Sequence, residues 1–587
     1  MKQFFKFMFA SILGVIIGSF LLLFILIGIV SALTSGASKQ EFTLNEKSVF
    51  ELDINYSIPE RTLNNPFEGL NLGGFSNPKS IGLQDILSSI DKASENENVK
   101  GILLKAEVSQ NSYATLEEIR NALIKFKKSG KFIYAYGEYM DEHAYYVASI
   151  SDKIFLNPAG ELLLNGFSQQ VVYLKGMFEK IGVEPQLIRH GKYKSAGEPF
   201  IADKMSNENR QQIEAYMGNL YSHFVVQIAK SRKINETDFR NLVNELKVRN
   251  ATDAVNLKVI DGLKYRDEVE ALIKTKLDLE EKTKISFVNL GKMNKVKGNT
   301  SISDNKIAVV YCVGDIMSGS GDDETIGSDR IAETIKKVRE DDTYKALVLR
   351  INSPGGSALA SDVIWREITL CKKVKPVIVS MGAVAASGGY YIAAPADLIV
   401  AEPNTITGSI GVFGMLINAK ELLNNKLGVK IETVKFGEFS DLGSPDRPLT
   451  AAERQVVQNA IDRVYADFVK RVAQGRKLTE AQVDSIAQGR VWSGIEAKQI
   501  GLVDEFGGLD RAIEIAVKKA KLSEHRVVSL PELKDPLEEV FKTMSGEASA
   551  YFMKQELGSN YQHYLEAKKA LQYQGIQVRM PFTVDVE

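Results

Sequence analysis

Short apolar runs alternate with amphipathic segments along most of this chain. Lys306 to Val313 is nearly all apolar and reads as a buried strand, Asp329 to Glu340 places Ile331, Ile335 and Val338 at helical spacing, and Ala346 to Ile351 returns to a strand pattern. Val377-Ile378-Val379-Ser380 and Leu398-Ile399-Val400-Ala401 continue the series. Near-continuous β-branched runs separated by helices predict an α/β fold with a parallel sheet covered on both faces.

The pattern occurs twice. Lys100-Gly101-Ile102-Leu103-Leu104-Lys105 precedes Tyr145-Tyr146-Val147-Ala148, and 245 residues later Lys345-Ala346-Leu347-Val348-Leu349-Arg350 precedes Tyr390-Tyr391-Ile392-Ala393. The match continues with Ser231-Arg232-Lys233 against Gly475-Arg476-Lys477, and Val259-Ile260-Asp261-Gly262 against Leu502-Val503-Asp504-Glu505. Repetition on this scale indicates two copies of one α/β domain, and 587 residues are too many for a single core.

From Phe7 to Leu33 the chain carries no charge, which is long enough for a helix to cross a hydrocarbon core of about 30 Å. Lys2 and Lys6 precede this stretch and the next basic residue is Lys39, so the positive-inside tendency predicts a cytoplasmic N-terminus with everything else on the outer side. Signal-peptide cores are usually only about 7–15 residues. An uncleaved single-pass anchor in the cytoplasmic (inner) membrane is therefore favoured, although Ala32 and Ser35-Gly36-Ala37-Ser38 are compatible with cleavage. The expected organisation is an anchor over 1–34, a linker over 35–48, repeats over 49–300 and 301–540, and a helical tail over 541–587, helical from Phe552 to Gln574.

A formal charge of −1 offers nucleic acid no basic footprint. Cys312 and Cys371 are too few and too far apart for a metal cluster or a disulfide framework.

Duplicated domains share what folding needs, so their mismatches point to function. The second copy has Asn352-Ser353-Pro354-Gly355-Gly356-Ser357 where the first has Glu107-Val108-Ser109-Gln110-Asn111-Ser112. A Gly-Gly pair at a strand end frees backbone N–H groups for an oxyanion, although a plain turn has the same composition. Ser409, between Gly408 and Gly411, falls opposite Leu164. Such a flanked hydroxyl has room to act as a nucleophile.

The five histidines are His143, His190, His223, His525 and His563, so the second copy holds none between residues 224 and 524. A Ser-His-Asp triad inside that copy is excluded. In the first copy, His190-Gly191-Lys192-Tyr193-Lys194-Ser195 matches Phe436-Gly437-Glu438-Phe439-Ser440-Asp441, placing Lys194 opposite Ser440. A lysine acts as general base only when burial or neighbours lower its pKa. His190 is an alternative base from the same segment, Lys192 shares a face with Lys194 if the segment is extended, and two solvated loop lysines are the structural alternative.

Taken in order, Tyr193-Lys194-Ser195-Ala196, Ser353-Pro354-Gly355-Gly356-Ser357, Ala386-Ser387-Gly388-Gly389-Tyr390-Tyr391 and Thr407-Gly408-Ser409-Ile410-Gly411-Val412 resemble the signal peptide peptidase A family, whose long form is also called protease IV. The resemblance runs from the anchor to about residue 530. It implies two tandem ClpP/crotonase-like repeats and a membrane-anchored serine protease with a Ser/Lys dyad and no metal or organic cofactor. Carried over by motif, it makes Ser409 the nucleophile, Lys194 the general base, the amides around Gly355 and Gly356 the oxyanion site, and Ser440, with Ser444 nearby, the serine that orients the lysine. It further implies a homotetramer enclosing a cavity, and substrates that are signal peptides left in the membrane after cleavage. The competing readings are a non-catalytic peptide-binding scaffold, a general envelope quality-control protease and an acyl-CoA enzyme of crotonase type. Ser409 and Lys194 could meet within one chain or between subunits.

Overall fold

The computed structural model describes residues 41–63, 71–72, 75–76, 81–298, 303–534 and 576–580, with scattered positions between 3 and 21. Most of the apolar stretch from Phe7 to Leu33, part of the linker and the helical reading of 552–574 lie outside the described residues. No helix among the described residues is long and apolar enough to cross a membrane.

Each copy builds a parallel sheet in the same strand order. In the first, Gly262–Leu263, Lys153–Leu162, Phe132–Met140, Val99–Lys105, Ser48–Asp53 and Phe287–Asn289 lie side by side. In the second the sequence is Glu505–Phe506, Leu398–Ala401, Val377–Ala386, Tyr344–Ser353, Lys306–Val313 and Arg526–Leu530. Shared order across two sheets is what a duplication leaves behind. The runs read as buried strands are buried on both faces: Ile102, Leu103, Leu104, Leu347, Val348 and Leu349 have no exposed surface.

The second halves also match. Helices Asn207–Arg232 and Ala451–Arg476 each have 26 residues, begin on a side-chain N-cap (Ser206 and Thr450), and end on a left-handed lysine (Lys233, φ 55°; Lys477, φ 56°). The copies differ by one residue between Lys175/Lys420 and Ile181/Leu427, and a π-helical turn at Leu422–Lys426 takes up the insertion.

A third sheet joins the copies. Its order is Ile326–Gly327, Ile316–Met317, Gly355–Ser357, Ile576–Arg579, Val412–Asn418 and Glu184–His190, so the last strand comes from the first copy and the others follow it in the chain. Val412–Asn418 pairs antiparallel with Glu184–His190 from Val412 opposite His190 to Asn418 opposite Glu184. Ile188 is thereby buried in the second copy's core. The tail expected to be helical thus also contains a strand at 576–579, enclosed between two strands of the second copy.

A buried charge group locks the same seam. Arg350 of the second copy reaches Glu60 at 2.8 Å and Glu118 at 2.5 Å, both from the first copy, and donates to Ser380 Oγ at 2.9 Å. All three charged side chains are almost completely buried, so their mutual pairing offsets a large desolvation cost.

Candidate active site

Ser409 follows the strand Ile406–Gly408 in a turn that only a small set of residues tolerates. Gly408 has φ 79° and Ser409 φ 50°, the left-handed region that costs a non-glycine residue about 1 kcal/mol or more. The turn is held by Ser409 N–H donating to Arg490 O at 2.7 Å and Ser387 N–H donating to Gly408 O at 2.8 Å. Ser387 is itself at φ 55°, where the strand Val377–Ala386 passes into the helix Gly388–Ala393. Two serines in strained backbone therefore face each other.

Lys194 arrives from the first copy, on the loop that leaves Glu184–His190. Tyr193 N–H donates to Gln488 O at 2.9 Å, and Arg189 donates to Lys194 O at 2.9 Å. Gln212 ties both copies together, donating to Tyr193 O and Ser195 Oγ while accepting from Val491 N–H. Glycine is required beneath the lysine: a Cβ on Gly489 would come within 2.6 Å of Lys194 Cβ, and one on Gly411 within 3.1 Å of its Cδ.

Lys194 Nζ lies 3.0 Å from Ser409 Oγ, 2.8 Å from Ser387 Oγ and 3.1 Å from Ser409 O. All three residues are fully buried. With no carboxylate contributing, burial alone pushes the Lys194 ammonium well below its ordinary range, which favours the neutral amine.

The structure thus brings Ser409 and Lys194 together within one chain and leaves Ser440 apart. Ser440 is exposed, its hydroxyl donates to Gly437 O at 2.9 Å, and the serine beside Nζ is Ser387 instead. The physical reason is that Ser440 sits on the second copy's equivalent of the lysine loop, an exposed segment that belongs to no sheet and whose serine bonds within its own turn. The 245-residue offset carried a signal for Ser387, since it falls opposite Glu142. Glu142, pushed up to about 7 by burial, accepts from the Asn165 and Gly166 amides, beside Leu164.

The two glycines also differ. Gly355 N–H donates to Ser353 Oγ at 3.1 Å and so is already used, whereas Gly356 stands opposite Val578 in the antiparallel pair. Positive φ values of 103° and 155°, and the closeness of Val578 O and Ile316 O to where their Cβ atoms would be, require glycine at both. His190 is turned from the site, stacked on Tyr465 at 3.8 Å with Nδ1 2.7 Å from Asp462.

The tail strand runs beside these groups. Met580 N–H donates to Pro354 O at 2.6 Å, and its side chain is buried among Ile213, Tyr216, Ala386, Ile406 and Val491. The tail strand is thus held by backbone pairing, with Met580 in an apolar seat that includes Ala386 and Ile406, the former directly preceding Ser387.

A buried lysine hydrogen-bonded to a strained serine, with no histidine among the described contacts of either, is an arrangement suited to a serine hydrolase. The peptidase family S49 model matches residues 125–280 and 369–523, one stretch in each copy. Curated relatives include the chloroplastic serine protease SPPA of Arabidopsis thaliana, 36% identical across 80% of this chain and 70% of the relative. Protease 4 of Haemophilus influenzae is 36% identical across 76% of this chain and 74% of the relative, and Protease 4 of Salmonella typhi 35% across 80% and 77%. A solved ClpP1 mutant from Listeria monocytogenes matches 35% of this chain and 94% of its own at 16% identity, with a TM-score of 0.24 too low to carry an argument. The chain belongs to peptidase family S49 and is a serine protease.

Proposed function

We propose that this protein is a membrane-anchored endopeptidase that hydrolyses residual signal peptides through a Ser409–Lys194 dyad. The observation that carries this reading is the 3.0 Å approach of a fully buried Lys194 Nζ to Ser409 Oγ, with no acid to hold the amine charged.

Neutral Lys194 takes the Ser409 proton as Oγ attacks the peptide carbonyl. The resulting ammonium returns that proton to the leaving amine, breaking the C–N bond and leaving an ester on Ser409. A water that gives its proton to Lys194 then hydrolyses the ester, and the proton returns to Ser409 Oγ. Ser387 holds Nζ in line throughout. Of the two glycine amides, that of Gly356 faces the tail strand, in the place a substrate strand would take, whereas Gly355 N–H is held by Ser353.

An apolar, extended substrate is supported by the groove that takes Val578 and Met580. The uncharged stretch from Phe7 to Leu33 supports an anchor that would hold the groove beside a membrane where such peptides remain. Cleavage of signal-sequence peptides by the full chain in detergent tests this: wild type should cleave them, and Ser409→Ala and Lys194→Ala should each lose about 10⁴-fold or more in kcat/KM. Wild-type turnover in either variant would remove the dyad, and no cleavage across the panel would favour the scaffold reading.

A further inference from the structure

The two faces of the tail strand meet different surroundings. Val578 is buried with Ile316 and Val412, and Met580 with Ala386 and Ile406. Gln577 and Arg579 alternate with them along the strand and line a cleft of about 610 Å³, together with Asp315, Asp362, Asp467 and Arg471.

Arg579 is not left in solvent. Its Nη1 donates to Asp315 Oδ2 at 2.6 Å, and only 17% of its side chain is exposed. Arg471 is already engaged, paired with Asp362 at 3.0 Å and lying 3.4 Å over the Trp365 ring. Without Arg579 the cleft therefore holds three carboxylates and one guanidinium, and its field favours a cation.

The duplication singles out Asp315. Phe50 pairs with Ile102, and Ala308 pairs with Leu347, the equivalent of Ile102 in the second copy. Continuing that register sets Asp315 opposite Ser57, with Ile316 matching Ile58 beside it. The carboxylate stands only in the copy that carries Ser409.

We propose that Asp315 selects substrate: the protein prefers an extended peptide with Lys or Arg at the place Arg579 takes in the tail strand, flanked by apolar residues at the places of Val578 and Met580. This preference rests on the proposed peptidase reading, in which a substrate strand replaces the tail strand. The tail strand pairs antiparallel with Gly355–Ser357 on one side and with Phe413 and Gly414 on the other. A substrate running the same way meets the same edges, so its alternate side chains meet the same apolar seats and the same acidic cleft. The uncharged core of a signal peptide offers Asp315 nothing, whereas the basic N-terminal flank does. Cleavage is thereby directed to the boundary where a basic residue meets the core.

Three peptides decide this, each copying Ile576 to Met580 followed by three alanines, with Arg, Ala or Glu at the Arg579 place. Full-length wild type in detergent should cleave the Arg peptide with a kcat/KM roughly tenfold above that of the Glu peptide, since attraction and like-charge repulsion act together, with the Ala peptide between. The intact tail competes equally with all three and leaves the ratio unchanged. Asp315→Asn should bring the Arg-to-Glu ratio near one, and Asp315→Lys should invert it; any loss common to the three peptides cancels. The same order should appear when fluorescently labelled peptides bind Ser409→Ala protein, read by anisotropy. Equal kcat/KM values in wild type, or a ratio that both Asp315 variants leave unmoved, would overturn the acidic subsite while the peptidase reading stands. No cleavage of any peptide, with binding still ordered Arg over Ala over Glu, would overturn the peptidase reading and support the subsite. No cleavage and no order in binding would overturn both.

Discussion

Lys194 from the first copy and Ser409 from the second stand 3.0 Å apart in a site fully closed from solvent. The relationship makes each copy incomplete alone, because the first has Leu164 where the serine stands and the second has Ser440 where the lysine stands.

A base that must be neutral sets the pH dependence. Burial lowers the Lys194 pKa below 10.5, so kcat/KM should rise with pH through the lowered value and level off before 10.5. The same shift makes the unfolded chain bind the extra proton between the two values, so folding stability should rise with pH across that window. Lys194→Met should abolish the rate and flatten that part of the stability curve. A rate limb at 10.5 or above, measured on a non-ionising peptide, would contradict this.

Ser387 holds the amine without touching substrate in the proposed mechanism. Ser387→Ala removes one hydrogen-bond partner of a buried Nζ, worth about 1–3 kcal/mol, so kcat should fall roughly 10- to 100-fold. KM should change little and the pH limb should move, while Ser387→Thr should recover part of the rate. An unchanged pH profile would reduce Ser387 to a packing role.

Much of the fold is legible in the sequence. Strands such as Lys306–Val313 are apolar on both faces because helices cover both, and that leaves a plain run in the sequence. Ser409 and Lys194 stood out because duplication turns each of them into a mismatch, serine against leucine and lysine against serine, although their meeting within one chain was not legible. Ser387 was not picked out, because in Ala-Ser-Gly-Gly a small residue reads as tight packing, and its role depends on a φ of 55° and an amine from 193 residues away. The strand at 576–579 was also missed. Four residues carry little periodicity, and their partners at Gly355–Ser357 and Phe413–Gly414 are distant in the chain.

Arg350 joins the copies through carboxylates it does not share a repeat with. Arg350→Met should destabilise the folded chain by about 3–5 kcal/mol, read by denaturant unfolding, because Glu60 and Glu118 are left buried without their cation. Combining it with Glu60→Gln and Glu118→Gln should recover a large share. Additive losses would show that the three do not act as one group.

Under the proposed function, the tail strand at 576–579 occupies the place of a substrate strand. Deleting residues 576–587 should raise kcat/KM for an apolar peptide by about tenfold, since a tethered segment competes at high effective concentration. Unchanged cleavage would mean that substrate enters elsewhere. Lost cleavage with an intact fold would make the strand a fixed part of the sheet.

The most direct measurement is to label the full-length protein with a serine-reactive fluorophosphonate and locate the adduct by peptide mass spectrometry, comparing wild type with Lys194→Met. The account predicts one adduct per chain, on Ser409, that forms faster as pH rises through the lowered lysine pKa and is lost in the variant. An adduct on another serine, or undiminished labelling of Ser409 without Lys194, would contradict it.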